Sequence, residues 1–257
     1  MADETIFPLP SLREKVSPEE WRTRVDLAAC YRLFDLYGLS DMTANHISTR
    51  VPGEDAYLIN PYGMLYEEMT ASCFIKVDDR GEITYAPDFG SLKYGLNRAG
   101  FVIHGAIHAG RADIGCVAHT HTPAGMAVSA LDCGVLPITQ TAMRFAGAAY
   151  HDFEGIVLDD RERESLLRDL GDGLRNHGLL VATTTIAEAF NAMQRFEQVC
   201  LAQLLALGAG KPLVPIDPSI VETTRQNYLP GTRRPFGVME WPAMLRKLDR
   251  LDPSYKT

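Results

Sequence analysis

Apolar and polar positions along this chain follow two rhythms, one of three to four residues and one of two, the periods of helix and strand. Helical spacing opens at Ser17-Pro18-Glu19-Glu20, an N-cap Ser with Pro in the first turn and Glu at the capping-box place. Leu27, Tyr31 and Phe34 then share one face, and Gly38 stops the helix. Short β-like runs follow at 56–60, 73–78 and 83–86, the last two joined by the turn Asp79-Arg80-Gly81. Residues 97–109 read as a second helix closed by Gly110, residues 114–121 as a β-like run and 123–130 as a small-residue helix. A helix over 161–170 ends at Gly171-Asp172-Gly173, and 179–182 reads as an apolar strand. Thr185-x-x-Glu188 opens a long helix with Phe190, Met193, Phe196, Cys200 and Leu204 at helical spacing. Beyond Gly210 the chain is Pro-rich and irregular up to a short amphipathic helix around 241–251.

This alternation without a compositional break predicts one α/β domain. Residues 1–16 form an N-terminal arm, 17–210 the domain, and 211–257 an extension that packs on the domain or on a neighbouring subunit. The 257 residues, 46% hydrophobic and 23% charged, exclude disorder, collagen and disulfide miniproteins. A net charge of −8 argues against a generally basic nucleic-acid surface. The five cysteines are odd in number, scattered and free of C-x-x-C pairs, which suits a reducing compartment. The N-terminus lacks the signature of a signal peptide, and no window is apolar enough to span a membrane. A cytoplasmic protein without nucleic-acid or membrane partners is expected.

The sharpest local chemistry is His119-Thr120-His121 at the end of an apolar strand. Residues i and i+2 of a strand face the same side, so both imidazoles can converge on one cation. A site needs a third ligand, and His177, in an Asn-His-Gly turn just before a strand, is the candidate. Loop chemistry alone also accounts for a His in that setting. Phosphate-loop, nucleophile-elbow and zincin motifs are absent.

The stretch 97–113, the run Val117-Ala118-His119-Thr120-His121-Thr122-Pro123-Ala124 and the triplet Asn176-His177-Gly178 together resemble the class II aldolase/adducin family. Asn45-His46-Ile47-Ser48-Thr49-Arg50, the 61–66 and 149–152 stretches and the run up to Gly178 are most similar to its adducin-head branch. The resemblance spans about residues 21–210. It implies a three-layer α/β/α sandwich with a mostly antiparallel central sheet and a homotetramer with active sites between subunits. It also implies a divalent metal held by His119, His121 and His177.

This sequence departs from the family's sugar-phosphate aldolases. Their catalytic Glu, one helix upstream of the first ligand, is Gly100 here. Their phosphate-binding pairs correspond to Asn45-His46, Tyr62-Gly63 and Arg98-Ala99, and Gln140 and Thr141 lie where their catalytic Tyr would be. A sugar phosphate is therefore not the expected substrate. Gly100, His104 and His108 fall at i, i+4 and i+8 on one helical stripe. His104 is either a proton-transfer group or a packing residue between helix and sheet, and His46, placed in a turn-rich stretch, is the other candidate acid–base. His108 and His151 read as structural. Arg98, Tyr62 and Asn45 are candidate substrate contacts.

The expected function is a metal-dependent lyase, of aldolase or decarboxylase type, acting on a small carbonyl or carboxylate substrate. Zinc is the first choice of ion, with Mn²⁺, Fe²⁺ and Co²⁺ open. A non-haem iron oxygenase on the same fold and a non-catalytic, adducin-like assembly protein are the alternatives.

Overall fold

The structure, a computed structural model, describes residues 9–92, 94–151, 177–229, 231–232 and 234–257. Helix α1 (Pro18–Leu36) begins as the sequence predicts, with the Ser17 hydroxyl accepting from the Glu20 amide at 3.1 Å. Six strands follow among the described residues: β1 (His46–Arg50), β2 (Ala56–Ile59), β3 (Ile75–Asp78), β4 (Ile83–Tyr85), β5 (Cys116–Thr120) and β6 (Leu179–Thr183). They form one sheet in the order β4-β3-β2-β1-β5-β6 with every pairing antiparallel. Helices α2 (Arg98–Gly110), α3 (Pro123–Ser129), α4 (Ile186–Gly208), α5 (Pro218–Gln226) and α6 (Trp241–Leu251) complete the α-helices among the described residues.

The strand alternation sorts side chains into two layers. Ile47, Leu58, Cys116, Ala118, Leu179 and Val181 join α1 and α4 in the main core. Val117 and Leu180, pointing the other way, pack with Val102, Ile103 and Ile107 of α2. The sheet is thus sandwiched between α1 and α4 on one face and α2 on the other, the three-layer α/β/α arrangement expected of the sequence.

Two differences from the sequence expectation have physical reasons. His46 does not lie in a turn: it opens β1, next to the middle of the sheet, where the alternation is masked because His46 and Ser48 are polar yet buried. The stretch after Gly210 contains α5, whose Asp217 cap and Pro218 start a short helix with no fully buried residue inside a Pro-rich context. The end of the chain is also knitted to the domain: the Ala71 and Ser72 amides donate to the Tyr255 and Thr257 carbonyls, and Trp241 donates to Asp26 at 3.2 Å. The helix expected over 161–170 and the residue Asn176 lie outside the described residues.

Candidate metal centre

The central register brings the chemistry together. β1 and β5 pair with His46 opposite His119, and β5 and β6 pair with His119 opposite Leu180. His119 therefore projects from the α2 face of the sheet, and His121, two residues on, follows it just past the strand end. His177 enters from the turn that leads into β6. Gly178, between that turn and the strand, has no room for a side chain: a Cβ would lie 2.2 Å from the Thr120 carbonyl oxygen.

The three imidazoles converge through their Nε2 atoms. His119 Nε2 lies 2.9 Å from His121 Nε2, which lies 3.0 Å from His177 Nε2. The outer nitrogens are occupied: His119 Nδ1 meets the Leu179 carbonyl at 2.9 Å, and His121 Nδ1 meets the Asp41 carboxylate at 3.3 Å. A carbonyl and a carboxylate only accept, so both Nδ1 atoms carry the proton and both Nε2 atoms present lone pairs to each other. Two lone pairs at that distance repel unless a cation lies among them, and outer hydrogen bonds of this kind are what orient metal-bound imidazoles. The donor set fits a divalent metal ion, for which His119, His121 and His177 form the candidate group.

Electrostatics favour the neutral, ligating form. Burial holds the His119 imidazole well below its usual pKa, and the neighbouring His46, His121 and His177 push the same way. His177, less buried, is pushed down to about 4 by burial and by His121.

Beside the triad, His46 is fully packed. Its ring lies 5.3 Å from that of His119, and its Nδ1 is 2.7 Å from His104 Nε2. A Cβ on Gly100 would fall 2.5 Å from the His46 ring. The imidazole of His46 thus fills the space into which a side chain at position 100 would grow.

The other candidates are dispersed. Asn45 is fully buried and donates from Nδ2 to the Leu39 carbonyl, bracing the turn that carries Asp41. Tyr62 is half exposed, and its amide donates to Gly95, which ties it to the segment entering α2. Arg98 is exposed in the first turn of α2. Among the described residues no hydrogen bond joins Tyr62 or Arg98 to the triad. His151 is buried. Sequence reasoning missed Asp41 and Ser48: nothing in a single Asp after a helix-ending Gly, or a single Ser in a strand, announces a partner from another element.

Residues 25–204 match the family described as Class II Aldolase and Adducin N-terminal domain. The chain belongs to the class II aldolase and adducin family. It is 44% identical to an aldolase class 2 protein of Caulobacter vibrioides, covering 99% of both chains. It is 41% identical to alpha-adducin of Rattus norvegicus over 91% of this chain but only 34% of that one. The crystal structure of an aldolase II superfamily protein from Pseudomonas syringae superposes with a TM-score of 0.89 at 42% identity, covering 96% of this chain and all of that one. L-fuculose 1-phosphate aldolase from Glaciozyma antarctica superposes at 0.79 with 26% identity, covering 93% of each. The relatives it matches thus carry aldolase names on one side and adducin names on the other.

Proposed function

We propose that this protein is a divalent-metal-dependent lyase that cleaves a carbon–carbon bond, by retro-aldol or decarboxylating chemistry, in a small carbonyl- or carboxylate-bearing substrate. The observation that carries this reading is the convergence of three Nε2 atoms with two of the outer nitrogens tied to acceptors. When bound there, a divalent ion supplies Lewis acidity to a substrate oxygen.

The chain's own residues do the rest. Asp41 and the Leu179 carbonyl hold His121 and His119 in the ligating tautomer. His46, whose ring stands where the aldolases' Glu would project, moves the substrate proton at Nε2. Arg98, exposed at the start of α2, pairs with a substrate carboxylate, and the Tyr62 phenol closes over it. A sugar phosphate is disfavoured, because the positions that match the family's phosphate cradle hold the packed Asn45 and His46. Zinc is the proposed ion, and a cytoplasmic homotetramer the proposed form. Exposed Leu201 and Leu205 on α4 and Ile220 on α5 offer apolar surface for a second subunit.

The test is elemental analysis of anaerobically purified protein, wild type beside His119→Ala. Near-stoichiometric zinc or manganese in the wild type, lost in the variant together with turnover of hydroxy acids or keto acids, supports the lyase. Bound iron favours the oxygenase reading. A wild type that neither carries nor takes up metal overturns both, and leaves the non-catalytic reading that the likeness to alpha-adducin favours.

A further inference from the structure

The stripe Gly100, His104, His108 on α2 lies against His46 and Ser48, which share one face of β1. The two periodicities mesh into one unbroken chain of hydrogen bonds. His46 Nδ1 is 2.7 Å from His104 Nε2; His104 Nδ1 is 2.5 Å from Ser48 Oγ; and Ser48 Oγ is 2.7 Å from His108 Nε2. All four residues are buried. At one end, the Nε2 edge of His46 lies against Gly100 beside the triad. At the other end, His108 is stacked on Tyr57 and lines a cavity of about 290 Å³ together with the exposed Asp55 and Asp79. His108 Nδ1 is buried and makes no hydrogen bond of ordinary geometry, although the Ile114 carbonyl acts on the ring as an acceptor.

Four polar side chains placed between helix and sheet are a costly way to fill space that Leu or Val would fill better, unless their hydrogen bonds serve a purpose. What sets this chain apart is that every link can be made in two senses. In the first, all three histidines carry the proton on Nδ1: His46 donates to His104, His104 donates to Ser48, and the Ser48 hydroxyl donates to His108 Nε2. In the second, all three carry it on Nε2, and every donor and acceptor is exchanged. A mixed pair at His46 and His104 sets two donors or two lone pairs face to face, and a mixed pair across Ser48 either leaves two nitrogens competing for its one proton or leaves that proton with no acceptor on the chain.

We infer that His46, His104, Ser48 and His108 form a proton relay that connects the metal-site edge of His46 to the cavity beside His108. The inference rests on the proposed role of His46 in the lyase reading. One passage runs as follows. A proton arrives at His46 Nε2, and His46 passes its Nδ1 proton to His104 Nε2. His104 passes its Nδ1 proton to Ser48, Ser48 passes its hydroxyl proton to His108 Nε2, and His108 releases its Nδ1 proton to the cavity. Four bonds to hydrogen break and four form. One proton enters, one leaves, and every ring is neutral before and after. The return stroke runs the same steps backward and delivers a proton to the site. A lyase needs both strokes, removing a proton from a substrate hydroxyl and later protonating the carbanion-like product.

The test reads the relay without a substrate. In metal-loaded protein with ¹⁵N-labelled histidine, nitrogen shifts report the tautomer of each ring, and His46, His104 and His108 are expected to share one type. Deuterium uptake at the labile ring proton of His104 is then followed in wild type and His108→Gln. A Gln amide still bonds to Ser48 but cannot change tautomer, so the relay predicts exchange at least tenfold slower with metal content unchanged. Ser48→Ala should slow it likewise. If the variant Ser48→Ala fails to fold, His108→Gln decides. Mixed tautomers, or exchange at the wild-type rate in His108→Gln, overturn the relay. Metal content of the same samples reports on the lyase reading separately, so the two fail independently.

Discussion

At Gly100, the position that the family resemblance sets against the catalytic Glu of the sugar-phosphate aldolases, the His46 ring of the facing strand stands 2.5 Å from where a Cβ would be. In isolation Gly100→Ala would favour the helix by about 1 kcal/mol. Here the added methyl meets a ring fixed by its bond to His104 and its contact with His119, so overpacking of about 1–3 kcal/mol works against it. The expected net effect is a loss of up to about 2 kcal/mol in urea unfolding and a changed His46 nitrogen shift, with metal content retained. A stabilised variant with an unmoved His46 signal would show that the ring has slack. The family resemblance pointed to a missing Glu at Gly100 and to His46 and His104 as candidates to replace it. It did not show that His46 occupies the vacated space, because contact between residues 46 and 100 exists only once β1 and α2 are packed.

The elements around the site are tied by buried polar groups rather than by apolar packing alone. Glu20 on α1 accepts from Arg24 Nε at 2.8 Å and from Lys76 of β3 at 2.6 Å, and Arg24 also donates to the Phe74 carbonyl at 3.2 Å. The side chains of Arg24 and Glu20 are 0% and 2% exposed, so removing one partner strands the other. Glu20→Ala should therefore cost about 3–5 kcal/mol, read as a lower urea midpoint. Exposed pairs such as Arg22–Glu19 should cost well under about 1 kcal/mol. Tyr31 makes a second tie, its hydroxyl accepting from the Ile47 amide at 2.7 Å and so bracing the strand that carries His46. Helices with a side-chain cap, as in α1 and α4, or an apolar face, as in α2 and α6, were legible in the sequence and fall within a residue or two of expectation. β1 was not, since its polar inward positions hide the period of two, and neither was α5, which buries nothing that would give it an apolar face.

For the whole molecule, the buried histidines make stability depend on pH. Burial and the neighbouring Arg50 push His108 down to about 3, and burial, reinforced by adjacent histidines, holds His46 and His104 well below 6.5. The unfolded chain takes up these protons near pH 6.5 and the folded chain does not. Their contribution is therefore complete above about 6.5 and is lost as pH falls from there toward 3. Metal-free protein should show a urea midpoint that drops between pH 7.5 and 5, with a shallower drop in His108→Gln. A midpoint flat over that range would mean these rings are protonated in the fold.

The pairing of His119 with Leu180 across β5 and β6 has a consequence for how the chain finds its native state. A slip of one residue between these strands would turn His119 to the opposite face, away from α2, while still letting most backbone groups of the ladder find new partners. Spectroscopically such a misaligned sheet would pass for a folded one. It would have no place for an ion, because two ligands belong to β5 and its extension and the third to the turn before β6. On the proposed metal centre, a cation that prefers the aligned form would act as a proofreader of strand register during folding, drawing the population toward the one alignment that can hold it.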